Sequence, residues 1–258
     1  MSATSERKKI TVPTLMAMKQ RGEKIAVLTA YDYPTARLLD EGGIDMLLVG
    51  DSLGMVVLGY PDTTLVTLDE MLHHTRAVAR GVKRAPILAD LPISTYDTPE
   101  QAVASAGRLI EAGAHAVKLE GGASHVEQIT ALVRAGIPVM AHIGMQPQRV
   151  RIEGGYRMKG KTPDEAEGLL ADARVVEEAG AFALLLELVQ ADVARRISEA
   201  VRIPTIGIGA GAFCDGQVLV THDLIGLFPW FTPKFVAPAA NVAQDIRGAV
   251  AEFIRRVR

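Results

Sequence analysis

The chain has a single cysteine and almost no net charge. Cys214 is the only cysteine among 258 residues, so no disulfide can form within the chain. The 28 basic and 30 acidic residues leave a formal charge of -2. This balance lacks the basic surface of a nucleic-acid-binding protein and gives no electrostatic attraction to a membrane. We therefore expect a small molecule as the partner.

Long hydrophobic runs are also absent. No apolar stretch approaches the ~20 residues of a membrane-spanning helix. The polar segment 1–9 lacks the apolar stretch of a signal peptide, and we expect it to be disordered. The sequence therefore predicts a cytoplasmic protein without a membrane partner.

Short apolar runs that end in a carboxylate recur along the chain. Most follow a glycine that ends a helical pattern, as Gly113 precedes the run 116–119. Runs of this kind are typical of parallel strands buried on both faces, where an acid needs a reason to be present. The four acids at these strand ends are Asp51, Asp90, Glu120 and Glu187.

The alternation of strands and helices over the whole length predicts one domain, 1–258, folded as a (β/α)8 TIM barrel. Such barrels typically have about 250 residues. A short helix near Pro13 precedes the first strand, and an amphipathic helix at 241–257 closes the chain. Between the last two strands there is room only for a short turn of helix. The predicted strands cover 25–30, 44–49, 86–89, 116–119, 137–142, 183–186, 203–209 and 218–220.

Helix starts and one long loop complete the predicted architecture. The segments 67–70, 98–101 and 124–127 each have a hydroxyl followed three residues later by Glu or Gln, which is typical of a helix N-terminal cap. The segment 144–161 is rich in Gly, Gln, Arg and Lys. Loops of this length are usually functional, and we interpret it as a lid over the site.

Asp51, Asp90 and Glu120 end consecutive strands, so their oxygens are expected to meet at the carboxyl end of the barrel. Three converging carboxylates repel one another unless a cation lies among them. All-oxygen ligands favour Mg2+ over softer metals. The alternative is that each acid caps a helix or pairs with an arginine.

Further candidate residues surround this predicted metal site. Lys118 points to the same face as Glu120, which fits an anionic substrate or an interior ion pair. Glu187 follows an apolar run, where poor solvation raises a carboxyl pKa towards the range of a general base. Ser52 either binds a substrate oxygen or caps a turn, and His142 faces either the site or the rim. These residues together suggest a Mg2+-dependent enzyme that binds a small oxo acid and removes a neighbouring proton.

Eight short motifs, taken in order, resemble the ketopantoate hydroxymethyltransferase family. They are Thr29–Asp32, Val49–Met55, Ala89–Pro92, Val117–Gly122, His142–Gly144, Gly154–Tyr156, Leu186–Glu187 and Gly207–Gly211.

The resemblance covers nearly the whole chain. It implies a cytoplasmic homo-oligomer, commonly a decamer, that transfers a one-carbon unit from 5,10-methylenetetrahydrofolate to 3-methyl-2-oxobutanoate, a 2-oxo acid. The product would be 2-dehydropantoate, a precursor of pantothenate and coenzyme A.

The resemblance also assigns roles to individual residues. It implies that Asp51, Asp90 and Glu120 hold Mg2+ and that Asp51, Ser52, Asp90 and Lys118 contact the substrate. Glu187 matches the catalytic base.

Two other readings of the sequence remain. A lyase or mutase of the isocitrate lyase and phosphoenolpyruvate mutase type would share the fold and the metal. The members that cleave C–C bonds generally carry a cysteine on a mobile loop, and 144–161 contains none. A catalytically silent barrel would lack at least one of the site acids, and none is missing.

Overall fold

A computed structural model of the chain describes residues 8–258. The predicted disorder of residues 1–9 falls mostly outside this range; Lys8 and Lys9 are exposed and precede the first helix. The chain divides into two compact units, one that ends at Val218 and one that spans Leu219–Arg258. The assignment of one domain to residues 1–258 stays a prediction.

Eight parallel strands form a closed barrel in the order of the chain, which confirms the predicted fold. The strands are β1 (Ile25–Thr29), β2 (Met46–Val49), β3 (Ile87–Asp90), β4 (Ala116–Glu120), β5 (Val139–Gly144), β6 (Ala183–Glu187), β7 (Thr205–Ile208) and β8 (Gly216–Leu219).

Helices connect most of these strands. Among residues 8–258 they are α1 (Val12–Gln20), α2 (Tyr33–Gly42), α3 (Leu53–Val56), α4 (Leu68–Gly81), α5 (Pro99–Glu111), α6 (Val126–Arg134), α7 (Val150–Glu153), α8 (Pro163–Glu178), α9 (Ala191–Ala200), α10 (Thr221–Leu224) and α11 (Val242–Val257). Short 3-10 turns cover Thr63–Leu65, Ala123–His125 and Pro147–Arg149.

The predicted caps have different outcomes. Thr67 and Glu70 form the reciprocal hydrogen bonds of a capping box at the start of α4. Thr98 caps α5, but the side chain of Gln101 accepts from the backbone of Asp97 instead of closing the box. The cap predicted at Ser124 is wrong, because a 3-10 turn occupies that segment and α6 begins only at Val126.

The interior of the barrel is apolar at its amino-terminal end. Side chains from alternate strand positions, such as Val27, Leu48 and Leu185, form one buried cluster. Leu15 and Met18 of α1 belong to the same cluster, so this helix packs against that interior. The side chains at the other strand positions point outward and pack against the surrounding helices in a larger buried cluster.

The last part of the barrel is shorter than expected. Residues 209–215 connect β7 to β8 without any helix, and β8 begins at Gly216 instead of residue 218. The segment 144–161 is not fully irregular, since it contains a 3-10 turn and α7. Met145 and Gln148 are buried, so its first part belongs to the packed interior.

The second unit consists of α10, a loop and α11. The side chain of Asn241 caps α11, and one face of that helix exposes Ile246, Val250 and Phe253. Across residues 8–258, no helix combines the length and the apolar character needed to cross a membrane.

Candidate active site

The inward-facing positions of β3 to β6 change from apolar to polar at their carboxyl ends. Strand pairing places Asp90 beside Lys118, Glu120 beside His142, and Gly144 beside Glu187. Most of these polar residues lie two positions after an inward-facing apolar residue of the same strand, as Asp90 follows Leu88. The barrel register therefore brings these side chains to one end of the barrel, where active sites of this fold lie.

Asp51 and Asp90 are in direct contact. The backbone N–H of Asp51 donates to Asp90 Oδ2 at 3.0 Å, and the two carboxyl groups are themselves close enough to hydrogen bond. Burial, reinforced by the Asp90 charge, raises the pKa of Asp51 to about 7. Lys118 Nζ lies 3.1 Å from Asp90 Oδ1, so both the ion pair and the position at the site that were predicted for this lysine are present.

Glu120 is the third carboxylate of the cluster and is fully enclosed. The backbone N–H of Gln148 donates to Glu120 Oε2 at 2.9 Å, whereas Glu120 Oε1 has no hydrogen-bond partner in the described part of the chain. Burial raises the pKa of this carboxyl well above its usual range. A buried carboxylate oxygen without a partner is costly unless another group binds it.

These residues fit a divalent cation in their charge and donor chemistry. Three acids face the single positive charge of Lys118, which leaves a deficit that a cation would offset. Within residues 8–258, no three His, Cys, Asp or Glu side chains are placed to hold a metal together. Mg2+ is usually bound by one or two carboxylates with water and substrate, so the Asp51–Asp90 pair is a sufficient protein contribution.

Gly50 occupies the inward position after Leu48, and its lack of a side chain lets the Ser52 hydroxyl lie close beside these acids. A Cβ atom there would lie 2.8 Å from Ser52 Oγ and 3.6 Å from Asp90 Oδ2. Ser52 Oγ forms a 2.8 Å hydrogen bond with the hydroxyl of Tyr31 and makes no capping bond to α3. The turn-capping interpretation of Ser52 is therefore wrong.

Glu187 ends β6 and its side chain is 16% exposed. Burial raises the pKa of its carboxyl to about 8, an effect that the charge of Lys118 partly opposes. A carboxylate with this pKa is poised for proton transfer near neutral pH.

His142 is buried between the acids and faces the site, which resolves its predicted alternatives. Burial and the charge of Lys118 lower its pKa well below the usual range, so the ring is neutral. Its Nδ1 lies 3.4 Å from Lys118 Nζ and can accept from that ammonium group. The ring proton then belongs on Nε2, which lies 3.5 Å from Glu187 Oε2.

The backbone around the base is unusual on both sides. Gly144 has φ 96°, and a Cβ there would come within 2.3 Å of the carbonyl oxygen of Glu187, so only glycine permits this approach. Leu188, directly after the base, has φ 46°, in the left-handed region. Its N–H donates to Ile208 O at 2.9 Å, and its carbonyl accepts from Lys159 N at 2.7 Å.

Sequence reasoning missed two residues of this site, Gln148 and Tyr96. Both are buried, and Gln148 contacts Asp51 and Glu120. Neither ends a strand or belongs to a charged pattern, so the sequence offers no signal for them beyond their positions in polar loops.

Known proteins resemble this chain over nearly its whole length. The family model for ketopantoate hydroxymethyltransferase matches residues 9–258. A 3-methyl-2-oxobutanoate hydroxymethyltransferase from Syntrophus aciditrophicus is 54% identical over 100% of this chain and 96% of its own length. The enzyme of the same name from Moorella thermoacetica is 55% identical over 98% of this chain and 95% of its own length.

Solved structures show the fold at much lower identity. Phosphonopyruvate hydrolase in complex with oxalate and Mg2+ has a TM-score of 0.65 at 16% identity, covering 96% of this chain and 87% of that one. A 2,3-dimethylmalate lyase has a TM-score of 0.65 at 18% identity, covering 96% of this chain and 89% of that one. These likenesses support the barrel alone, whereas the match over nearly the full length identifies the chain as a transferase that belongs to the ketopantoate hydroxymethyltransferase family.

Proposed function

We propose that the protein uses Mg2+ to transfer a hydroxymethyl group from 5,10-methylenetetrahydrofolate to 3-methyl-2-oxobutanoate. The product, 2-dehydropantoate, would enter pantothenate biosynthesis. The observation that carries the proposal is the buried cluster of Asp51, Asp90, Glu120 and Lys118 next to a carboxyl group with a raised pKa. Family membership supplies the reaction, and the cluster supplies groups suited to it.

Binding of the oxo acid would use the charges and the space at the end of β2 to β4. Lys118 is oriented towards the acids and would attract the carboxylate of the substrate. Ser52, fixed by Tyr31, would donate to a substrate oxygen beside Gly50.

Proton removal would fall to Glu187. Asp51 and Asp90 would hold the cation, with Glu120 beside them, and the cation would withdraw electrons from the ketone and so acidify the C3 proton. Glu187 would accept that proton, and neutral His142 beside it adds no positive charge that would lower the pKa of the carboxyl group. The C3 carbanion would then form the new C–C bond to the methylene carbon. Both bonds from that carbon to the folate nitrogens would break, and water would supply its hydroxyl group, so tetrahydrofolate is released.

A folate-dependent assay with and without cation tests this function. The protein treated with EDTA is expected to lose product formation by about a hundredfold or more, because one source of charge stabilisation is removed. Addition of Mg2+ should restore it, and omission of the folate should prevent it. Undiminished activity after complete removal of divalent cations would contradict the metal requirement.

The rate of C3 proton exchange is expected to rise with pH. The pKa of Glu187 is about 8, and only the ionised carboxylate accepts a proton, so the rate should increase roughly tenfold per pH unit below that value. A bound cation adds positive charge and would move the midpoint lower. Exchange in D2O, followed by NMR from about pH 6 to about pH 10, measures the profile. A rate that falls across this range would contradict Glu187 as the base.

The same raised pKa predicts an opposite effect on stability. The folded protein binds this proton more tightly than the unfolded chain, whose carboxyl has a pKa near 4.5. The contribution of this proton to the free energy of unfolding is therefore fully present below the pKa of the unfolded chain's carboxyl group and is lost as the pH rises towards about 8.

Two further features of the proposal concern the protein as a whole. The exposed apolar face of α11 supports a homo-oligomer, which the family resemblance expects as a decamer. We also propose a cytoplasmic location, which suits an enzyme acting on folate and a small oxo acid.

A further inference from the structure

Gln148 is a buried polar residue that the mechanism above does not use. It is 4% exposed and lies in the 3-10 turn Pro147–Arg149 of the segment 144–161. Its side-chain Nε2 donates to Asp51 Oδ2 at 2.8 Å and to Leu91 O at 3.0 Å. Its backbone N–H donates to Glu120 Oε2 at 2.9 Å. One residue therefore holds two of the three acids.

The amide of Gln148 has a defined orientation, and Tyr96 completes its hydrogen bonds. A carboxylate and a carbonyl oxygen only accept, so the amino group of the amide must face Asp51 and Leu91. The amide oxygen is then left to accept the hydroxyl proton of Tyr96 at 2.6 Å. Tyr96 is itself 7% exposed, so water does not readily replace it.

The contacts of Gln148 fix only one of the two carboxylate oxygens of Glu120. One oxygen of this carboxylate accepts from the backbone of Gln148, and the other has no hydrogen-bond partner among the described residues. A carboxylate fixed in this manner loses little rotational freedom when it meets a ligand. Groups that orient metal ligands commonly affect affinity by about 10–100-fold.

We propose that Gln148, held by Tyr96, is a positioning residue that fixes the Asp51 carboxylate for a divalent cation bound by Asp51 and Asp90, and fixes Glu120 beside them. This inference rests on the function proposed above. It also gives a role to the segment 144–161, because the turn that carries Gln148 supplies both contacts. Any movement of this turn would alter two acids of the cation site together.

A second buried glutamine provides the matched control. Gln128 is 9% exposed and its amide donates to the backbone oxygen of Asp97 at 3.2 Å. Among the described residues this backbone oxygen is its hydrogen-bond partner, and it lies outside the acid cluster. A Gln128→Met variant removes a buried amide of the same size without touching Asp51 or Glu120.

The experiment measures Mn2+ binding to the full chain by the EPR signal of the free ion, without substrates. Gln148→Met is expected to weaken binding by about 10–100-fold. Tyr96→Phe should weaken it by about threefold to tenfold, since the amide oxygen then loses its hydrogen-bond donor and the side chain of Gln148 is held less firmly against Asp51. Gln128→Met should bind Mn2+ as the unaltered protein does. Activity of Gln148→Met should recover when Mn2+ is raised above its new dissociation constant, which a general folding defect would not allow.

The possible outcomes separate this inference from the proposed function. Failure of the unaltered protein to bind Mn2+ would overturn both. Normal binding by the unaltered protein with equal affinity in Gln148→Met would overturn the positioning role alone. If Gln148→Met does not fold, Tyr96→Phe decides, because it leaves Gln148 in place: weaker Mn2+ binding supports the role and unchanged binding overturns it.

Discussion

Replacement of Glu187 by Gln is expected to reduce C3 proton exchange of 3-methyl-2-oxobutanoate by about a thousandfold. The amide keeps the shape of the carboxyl group but is not basic enough to accept the C3 proton. Binding of the oxo acid should change little, because the contacts assigned to it come from residues on other strands. NMR in D2O measures exchange, and isothermal titration measures binding.

Glu178→Gln is the control for this experiment. Glu178 is exposed on α8, so the same chemical change there should leave exchange unaltered. Retained exchange in Glu187→Gln would remove Glu187 from the role of base. Loss of both exchange and substrate binding would instead assign Glu187 to binding.

Replacement of Lys118 by Met should have the second large effect. Lys118 Nζ lies 3.1 Å from Asp90 Oδ1 in a site where both side chains are buried. Removal of one partner from a buried pair typically costs about 3–5 kcal/mol, because the remaining charge is left uncompensated. The affinity for the oxo acid should fall as well, by up to about a thousandfold for a charge contact near 4 Å in a partly polarisable interior.

Urea denaturation measures the first effect and titration with the oxo acid measures the second. Lys161→Met is the control, since Lys161 is exposed and outside the barrel interior. A variant at 118 that loses stability but binds the oxo acid normally would make the lysine a structural ion-pair partner only. An unchanged free energy of unfolding would contradict the expectation that the variant leaves Asp90 as an uncompensated buried charge.

The barrel and most of its site could be predicted from the sequence because the two-residue alternation along each strand determines both. Alternate positions of each strand face inward, so an acid placed two residues after a buried apolar residue, as Glu187 follows Leu185, must reach the same interior. Strand ends such as Asp90 and Glu120 were therefore located correctly from local patterns alone.

The remaining features depend on contacts between distant segments. The hydrogen bond from Tyr96 to Gln148 joins residues separated by 52 positions in two loops, and neither residue type is unusual there. The segment at Ser124 shows both effects, since the Ser124 hydroxyl hydrogen bonds with the ring of the adjacent His125 instead of capping a helix, and the backbone of Ala123 donates to Asp172 of α8. Local propensity cannot predict which distant group will bind such a donor.

The left-handed backbone of Leu188 has a consequence for how variants of this protein should be judged. Glycine at this position would relieve the unfavourable conformation but would also give the denatured chain more freedom. These two contributions are each on the order of 1 kcal/mol and oppose each other. Any change that a melting experiment then registers would come mainly from the lost half-buried leucine side chain, although the peptide adjoining Glu187 had become looser. At this position, heat resistance reports on side-chain packing and is no evidence of an intact enzyme.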